Sequence, residues 1–163
     1  MDVANEEGST LVEVAVSFSL FAAVLLGIMQ MSLALYAYHF VSDAAREASR
    51  WAMVRGSSCS ANVSTANCSP TSGLSTGADN TDIQTYVNNL GYPYAGNLTT
   101  STTWCTPSSS TPTTWTSCGT TSAYKGAGSQ VQVTVSYSFP IAVPFWKSTT
   151  IPVSSTSSMV IAQ

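Results

Sequence analysis

Hydrophobic residues are concentrated in one uninterrupted stretch near the start of the chain. The 22 residues from Val14 to Leu35 include no charged side chain. At about 1.5 Å per residue, a helix of this length crosses a hydrocarbon core of about 30 Å. No proline interrupts residues 11–55. The pattern predicts one continuous helix over Leu11–Arg55, apolar on all sides at first and amphipathic near its end, with Gly56 as its C-terminal cap.

The last third of the chain shows the two-residue periodicity of half-buried strands. Over Gln130–Phe139, valine and aromatic residues alternate with glutamine, threonine and serine, so one face is predicted to be buried. A returning strand is predicted over Thr149–Ile161, and Pro152 indicates that its start is either at an edge or irregular. Asn97–Cys105 is a further predicted strand, whereas Thr106–Thr114 is expected to be a loop.

A short second helix is predicted between the long helix and the strands. It covers Asp82–Leu90, with Asp79 or Thr81 as its N-cap and Gly91 as its terminator. The preceding Ser57–Asn80 segment is expected to be a loop. The predicted fold is α+β, with a long N-terminal hydrophobic helix packed at its exposed half against a small antiparallel sheet.

Small residues recur every fourth position on the long helix and form two stripes. The first stripe is Ala15, Ser19, Ala23 and Gly27, and the second is Ala44, Ala48 and Ala52. This spacing keeps each stripe on one helix face, where another backbone can approach closely, although membrane helices are rich in small residues in any case. Between the stripes, Tyr36, Tyr38 and Phe40 are typical of an interfacial aromatic belt. Beyond the belt, ion pairs are predicted for Asp43 with Arg46 and for Glu47 with Arg50.

Composition and charge narrow the class of protein. Charged residues make up 8% of the chain, far below the usual proportion of about 25%, and serine and threonine replace them. The net charge of −3 comes from eight acids and five bases, and three of the acids lie in residues 1–8. The sequence contains no basic patch, so we expect no nucleic-acid partner.

The four cysteines fall into two local pairs beyond the apolar stretch. Cys59 and Cys68 form one pair, and Cys105 and Cys118 form the other. Short loops close at low entropic cost, so disulfides are expected within each pair, although the sequence alone allows three connectivities. Small exported domains use such bonds, which indicates an oxidising compartment. The spacing is wrong for structural zinc.

One acidic residue, Glu13, lies at the edge of the apolar stretch. An acid at membrane depth costs at least about 2.5 kcal/mol, so Glu13 requires a partner and marks a functional position. The run from Gly8 to Glu13, GSTLVE, resembles the class III prepilin signal, in which a leader is removed after the glycine. Val41–Gly56, Val131–Tyr137 and Ile151–Met159 are similar to the helix end and closing strands of TadE-like pseudopilins of the tight-adherence type IV pilus family.

The resemblance implies a domain organisation and a processing site. Residues 1–8 would be a leader removed by a prepilin peptidase. Residues 9–56 would be the long helix, embedded over about residues 11–41, and residues 57–163 an exported β-rich head. Cleavage between Gly8 and Ser9 would create an N-terminal amine, methylated in this family, that pairs with Glu13.

The resemblance also implies a structural function in a bacterial pilus, with a role in surface attachment. The partners would be other pilin subunits, in homo- or hetero-oligomers, and the pilus assembly platform. Membrane lipid would surround the helix before assembly. The chain would reside in the inner membrane as a precursor and then at the cell surface.

Other functions were weighed against this one. No catalytic constellation, cofactor motif or metal cluster is recognisable, and the single histidine, His39, is interpreted as interfacial, so no enzyme is expected. A membrane-anchored adhesin or carbohydrate-binding protein is the alternative, with Trp104, Trp115 and Trp146 as aromatic platforms. A cleaved signal peptide is disfavoured, because the apolar run is too long and the residues before it are acidic.

Sites of glycan attachment are only weakly indicated. Asn62, Asn67 and Asn97 match the N-glycosylation pattern, and Ser101–Thr121 is a serine, threonine and proline tract of the kind that carries O-linked sugars. Such matches also arise by chance in a chain with this composition.

Overall fold

The residues that the structure describes fold as two helices and a four-stranded antiparallel sheet, which confirms the predicted α+β class. The structure is a computed structural model that describes residues 4–56, 77–91, 98–108, 114–120, 124–141 and 147–162. The elements in chain order are α1 (Ala4–Met53), α2 (Asn80–Asn88), β1 (Leu98–Pro107), β2 (Trp115–Gly119), β3 (Gln130–Ile141) and β4 (Thr149–Val160).

Helix α1 extends further at its start than the apolar pattern predicts. It begins at Ala4 rather than Leu11 and ends at Met53, two residues before the predicted end. Gly8 does not interrupt it, because a single glycine costs a helix only about 1 kcal/mol. The last turn tightens where the Arg55 amide donates to the Ala52 carbonyl at 3.0 Å.

The predicted capping role of Gly56 is not what the structure shows. Among the glycines that the structure describes, the positive φ angles belong to Gly77, Gly91 and Gly128, and not to Gly56. Gly77 has a φ of +75°, and a Cβ there would lie 2.6 Å from the Gly56 carbonyl oxygen. The chain returns to the end of α1 at this point, where the Ala78 amide donates to the Arg55 carbonyl at 3.0 Å. Residue 77 must therefore be glycine for two reasons, which are its positive φ angle and the close approach of the Gly56 backbone.

Helix α2 begins with the predicted cap. The Asp79 side chain accepts from the amides of Thr81 and Asp82 at 2.8 and 3.0 Å, and Asp82 accepts from the Asp79 amide at 3.2 Å. This reciprocal arrangement is a capping box. Gly91, with a φ of +81°, follows the helix end as predicted.

The strands lie in the order β2-β1-β3-β4. Strand β3 alternates as predicted but continues through Pro140 to Ile141, and β4 forms an edge, as Pro152 indicates. Strand β2 was not predicted. Its five residues show no alternation, and it forms because it pairs with β1, where Cys105 lies opposite Cys118.

The chain divides into two compact units, which are residues 1–36 with 139–151, and residues 37–138 with 152–163. The first unit contains the apolar part of α1. The second unit contains a buried core. Its main apolar contributors are Val41, Ala45, Ala48, Ile83, Val87, Leu98, Trp104, Val131, Val133, Val135 and Ile161. They come from the last turns of α1, one face of α2, and the inward faces of the sheet.

Candidate assembly helix and head

The first part of α1 presents apolar side chains to its surroundings on every face. Leu11 is 72% exposed and Phe18 is 70% exposed, and the most apolar window of this helix contains no buried residue. Among the described residues, one helix is both long enough and apolar enough to cross a membrane, and it is α1. The core helix of a soluble protein would instead be covered by its own chain. An exposed apolar surface of this extent marks a contact with lipid or with other protein.

The predicted processing residues lie at the start of this exposed helix. Gly8, Ser9 and Glu13 are all within α1 and all exposed. A Cβ added at Gly8 would meet nothing within 4 Å. The fold therefore leaves room for a Cβ at this position, and most residues other than proline favour a helix over glycine by up to about 1 kcal/mol. The described fold shows no requirement for glycine at residue 8.

The two small-residue stripes have different environments. Ala15, Ser19, Ala23 and Gly27 are exposed, and a Cβ at Gly27 would also meet nothing within 4 Å. Ala44, Ala48 and Ala52 are each at most 2% exposed. The second stripe is thus covered by the chain's own head, whereas the first stripe remains available to another molecule.

The head is attached to the last turns of α1 by polar as well as apolar contacts. Ser49 is fully buried, and its hydroxyl lies 2.8 Å from the Ser157 hydroxyl on β4. The Ala162 amide donates to the Met53 carbonyl at 3.3 Å. The small side chains of the second stripe allow this close packing of helix and sheet.

An aromatic stack joins α2 to α1. The rings of Trp51 and Tyr86 are stacked with centroids 5.1 Å apart, and the Arg55 guanidinium lies 4.2 Å from the Trp51 ring centroid. The Tyr86 hydroxyl donates to the Glu47 carboxylate at 3.1 Å. Burial, followed by the Glu47 carboxylate, raises the pKa of Tyr86 above its usual value. No sequence periodicity indicates this stack, because its members come from separate helices.

The predicted ion pairs on α1 form only in part. Arg46 lies 3.7 Å from Asp43, and both side chains are largely exposed. Glu47 instead accepts the hydrogen bond from Tyr86, so the predicted pair with Arg50 is wrong in the part of the chain that the structure describes. A hydrogen bond from Tyr86, whose ring is stacked on Trp51, replaces a surface ion pair, which is worth little in water.

The predicted disulfide between Cys105 and Cys118 is present, and it joins directly opposed residues of β1 and β2 whose Cα atoms are 4.0 Å apart. It excludes the crossed pairings that would join either cysteine to Cys59 or Cys68. Those two cysteines and the three candidate glycan sites at Asn62, Asn67 and Asn97 lie outside the described residues. A disulfide is compatible with an oxidising compartment.

We expect removal of this disulfide to detach β2 before the rest of the sheet. A double variant with Cys105→Ala and Cys118→Ala should lose about 3 kcal/mol of stability, because a closed loop of this length restricts the unfolded chain by about that amount. Strand β2 pairs with β1 alone. Its amides should therefore exchange faster with solvent while β3 stays protected. Unchanged protection of β2 would contradict this expectation.

Trp104 is buried rather than displayed, which contradicts its predicted role as an aromatic platform. It is 2% exposed, and the Lys125 Nζ lies 4.5 Å from its ring centroid. Lys125 itself is 3% exposed. Burial lowers the pKa of Lys125 below its usual value of 10.5, and the carboxylates of Asp79 and Asp82 oppose this shift in part. Trp115 is half-buried, and Trp146 lies outside the described residues.

We expect Lys125→Met to stabilise the head at neutral pH. No carboxylate forms an ion pair with Lys125 among the described residues, so its buried cation costs desolvation, and an apolar side chain of similar length should regain about 1 kcal/mol after the cation–π contact and the attraction of Asp79 and Asp82 are subtracted. The unfolded chain binds more protons than the folded chain between the lowered pKa and 10.5, so wild-type stability should rise with pH there. Urea unfolding in micelles at pH 7 and pH 10 would measure both effects. The exposed Lys147→Met is the matched control, and equal behaviour of the two variants would contradict the expectation.

Among the described residues, no group of three histidine, cysteine, aspartate or glutamate side chains is placed to bind a metal ion. His39 is exposed on α1, with its ring edge-on to Tyr38 at a centroid distance of 6.0 Å.

These features define an α+β subunit with an exposed apolar N-terminal helix and a small head stapled by a disulfide. Residues 8–50 match the TadE-like protein family, which is a structural, pilus-related family. The resemblance inferred from the sequence is therefore confirmed over that segment. No curated protein and no solved structure matches the chain.

Proposed function

We propose that this chain is a pilin-like structural subunit of a bacterial tight-adherence, type IV-like pilus. In this proposal a prepilin peptidase cuts the precursor after Gly8, and the exposed half of α1 then joins a helical bundle with other subunits. The observation that carries the proposal is that residues 8–50, which match the TadE-like family, include an apolar helix that the chain leaves uncovered. A helix of this kind is suited to exchange lipid neighbours for protein neighbours.

The proposed domains follow from the processing site. Residues 1–8 are the leader, residues 9–56 the assembly helix, and residues 57–163 the exported head. Gly8 supports the cut, because the fold gains nothing from a glycine at that position. In this proposal the peptidase closes around a backbone that carries no side chain, so the peptidase requires glycine at position 8. Methylation of the Ser9 amine would follow cleavage.

Glu13 supplies the charge for assembly. Cleavage makes Ser9 the first residue and leaves its amine positively charged at neutral pH. An amine inside an apolar bundle costs several kcal/mol unless a counter-charge lies beside it. We assign that counter-charge to the Glu13 carboxylate of a neighbouring subunit, which is exposed on α1 before assembly. The pair selects a bundle in which successive subunits are offset so that the two groups meet.

The exposed small-residue stripe supports close contact between the helices. Without large side chains at these positions, two backbones can approach and gain van der Waals contact that lipid does not supply. The partners in this proposal are other pilin subunits, in homo- or hetero-oligomers, and the pilus assembly platform. The subunit is inserted in the inner membrane, surrounded by lipid, before its transfer to the surface pilus.

A membrane-anchored adhesin remains the second candidate. Surface attachment is compatible with both proposals, because a subunit in a filament can also carry an adhesive head. Burial of Trp104 removes one of the three candidate platforms, so the observations favour the pilin-like function.

Ser19 and Ser17 offer a matched test of the assembly helix. The two serines are both exposed and two residues apart, so they lie on nearly opposite faces of α1. Ser19→Leu places a bulky side chain on the stripe and should lower recovery of the subunit in sheared surface filaments about tenfold, since overpacking costs about 1–3 kcal/mol. Ser17→Leu should be recovered as the wild type. Both variants should be inserted in the membrane equally, and equal loss from filaments would contradict the proposed packing face.

A further inference from the structure

A groove beside the aromatic belt is lined by both charged and apolar side chains. It has a volume of about 430 Å³ and lies within the second unit. Its principal lining residues are Phe40, Asp43, Arg46, Glu47, Arg50 and Leu90. Volumes of about 300–1,000 Å³ are typical of small-molecule sites, so the groove is large enough to hold a headgroup.

The groove is lined by two positively charged and two negatively charged side chains. Arg46 and Arg50 supply guanidinium groups one turn apart, and Arg50 makes no ion pair or hydrogen bond to any other residue in the described ranges. The carboxylates of Asp43 and Glu47 lie on the same helix face. Guanidinium groups bind phosphate in a bidentate manner, and carboxylates accept hydrogen bonds from ammonium groups. The arrangement therefore suits a ligand that carries both a phosphate and a primary ammonium.

The apolar residues and the position of the groove indicate the source of such a ligand. Phe40, which belongs to the aromatic belt, lines the groove, and Tyr38 in the same belt is 56% exposed. Arg46 and Arg50 follow Phe40 by about 9 and 15 Å along the helix axis. Long side chains on a helix lean toward its N-terminus, which brings both guanidinium groups back toward the membrane side. That depth corresponds to the phosphate and headgroup layer of a bilayer.

We propose that this groove binds the headgroup of an ethanolamine phospholipid from the surrounding bilayer while the subunit awaits assembly. Arg46 and Arg50 hold the phosphate, Asp43 and Glu47 accept from the ammonium, and Phe40 packs against the start of the acyl chains. The lipid fixes the depth at which the subunit sits, so that Glu13 and the processing site lie at a constant level in the membrane. The inference rests on the proposed function, because it requires α1 to be embedded in a membrane first.

Native mass spectrometry of the full-length chain tests the inference. The chain is released from nanodiscs that contain equal amounts of phosphatidylethanolamine and phosphatidylglycerol. We expect retention of phosphatidylethanolamine in preference to phosphatidylglycerol. Arg46→Ala together with Arg50→Ala should reduce this retention about tenfold or more, because charge-assisted hydrogen bonds to the phosphate are lost. Lys147→Ala removes an exposed cation outside the groove and should retain the lipid as the wild type does.

The results that would overturn the lipid inference can be distinguished from those that would overturn the proposed function. Equal retention of the two lipids by the wild type, or undiminished retention by the double arginine variant, would overturn the inference and leave the proposed function intact. A photo-crosslinker introduced as Leu90→p-benzoylphenylalanine should gain the mass of a phospholipid. Cross-linking to a second polypeptide instead would overturn the inference by assigning the groove to a subunit contact. A chain that does not enter membranes at all would overturn both proposals.

Discussion

Gly8→Leu is expected to leave the precursor uncut in the membrane fraction, with cleavage slowed about a hundredfold, because misplacement of a scissile bond by about 1 Å has that effect. A leucine side chain would displace the backbone from a site built for glycine. It would not disturb the fold of the chain itself, since a Cβ at Gly8 meets nothing within 4 Å. Loss of processing can therefore be separated from misfolding.

Intact mass measurement of the membrane fraction would check this prediction. Asn5→Leu places the same side chain three residues upstream and should be cut at the normal rate. Gly8→Ala should be intermediate, because its methyl group requires a smaller displacement. Normal cleavage of Gly8→Leu would show that the peptidase does not require glycine at residue 8. Recognition by the peptidase would then not explain why α1 contains a glycine at this position.

Glu13→Ala is expected to separate insertion from assembly. The monomer should enter the membrane at least as readily as the wild type, since the cost of placing a carboxylate near hydrocarbon disappears. Incorporation into filaments should fall about a hundredfold or more, because an unpaired buried amine costs about 3–5 kcal/mol. Membrane fractionation, alongside quantification of the subunit in sheared surface material, would measure the two effects.

Two further variants at this position sharpen the test. Glu13→Gln keeps the shape of the side chain but not its charge, so it should fail as alanine does. Glu13→Asp keeps the charge on a shorter side chain and should restore part of the incorporation. If Glu13 were merely solvated in the headgroup region, none of the three substitutions would change assembly, and normal incorporation of processed Glu13→Ala protein would contradict its assigned role.

The elements with a strong local pattern could be predicted from the sequence. The uncharged run after Glu13 predicts α1, and the alternation from Val131 onward predicts β3 within two residues of its end. Asp79 is one of two predicted N-caps of α2, and its capping box with Asp82 selects it over Thr81, so that the helix begins at Asn80 rather than at the predicted Asp82. Each of these elements is determined by residues close together in the chain.

Features that depend on residues distant in the chain could not be predicted in this way. Strand β2 has no periodicity of its own and forms by pairing with β1. The stack of Trp51 on Tyr86 and the burial of Lys125 against Trp104 each join segments that are separated in sequence. Sequence spacing reveals such contacts only once the tertiary packing is known.

The two small-residue stripes show the same limit at the candidate site. Ala23 and Ala48 belong to stripes with identical spacing, yet Ala48 is fully buried by the head and Ala23 is exposed. Spacing identifies a face that another backbone can approach. It does not tell whether that backbone belongs to the same chain or to a neighbour, and the structure supplies this distinction by covering one stripe and leaving the other open.

The residue at the N-terminus of the protein recovered from surface filaments is the most direct test of the proposed function. Cleavage after Gly8 and assembly through α1 predict that the filament subunit begins at Ser9, with a mass lower than the precursor by residues 1–8, apart from the methyl group added to the Ser9 amine. Mass spectrometry of sheared filaments would determine this in one measurement. Subunits in those filaments that still begin at Met1 would contradict the proposed processing, and with it the pairing of a new amine with Glu13.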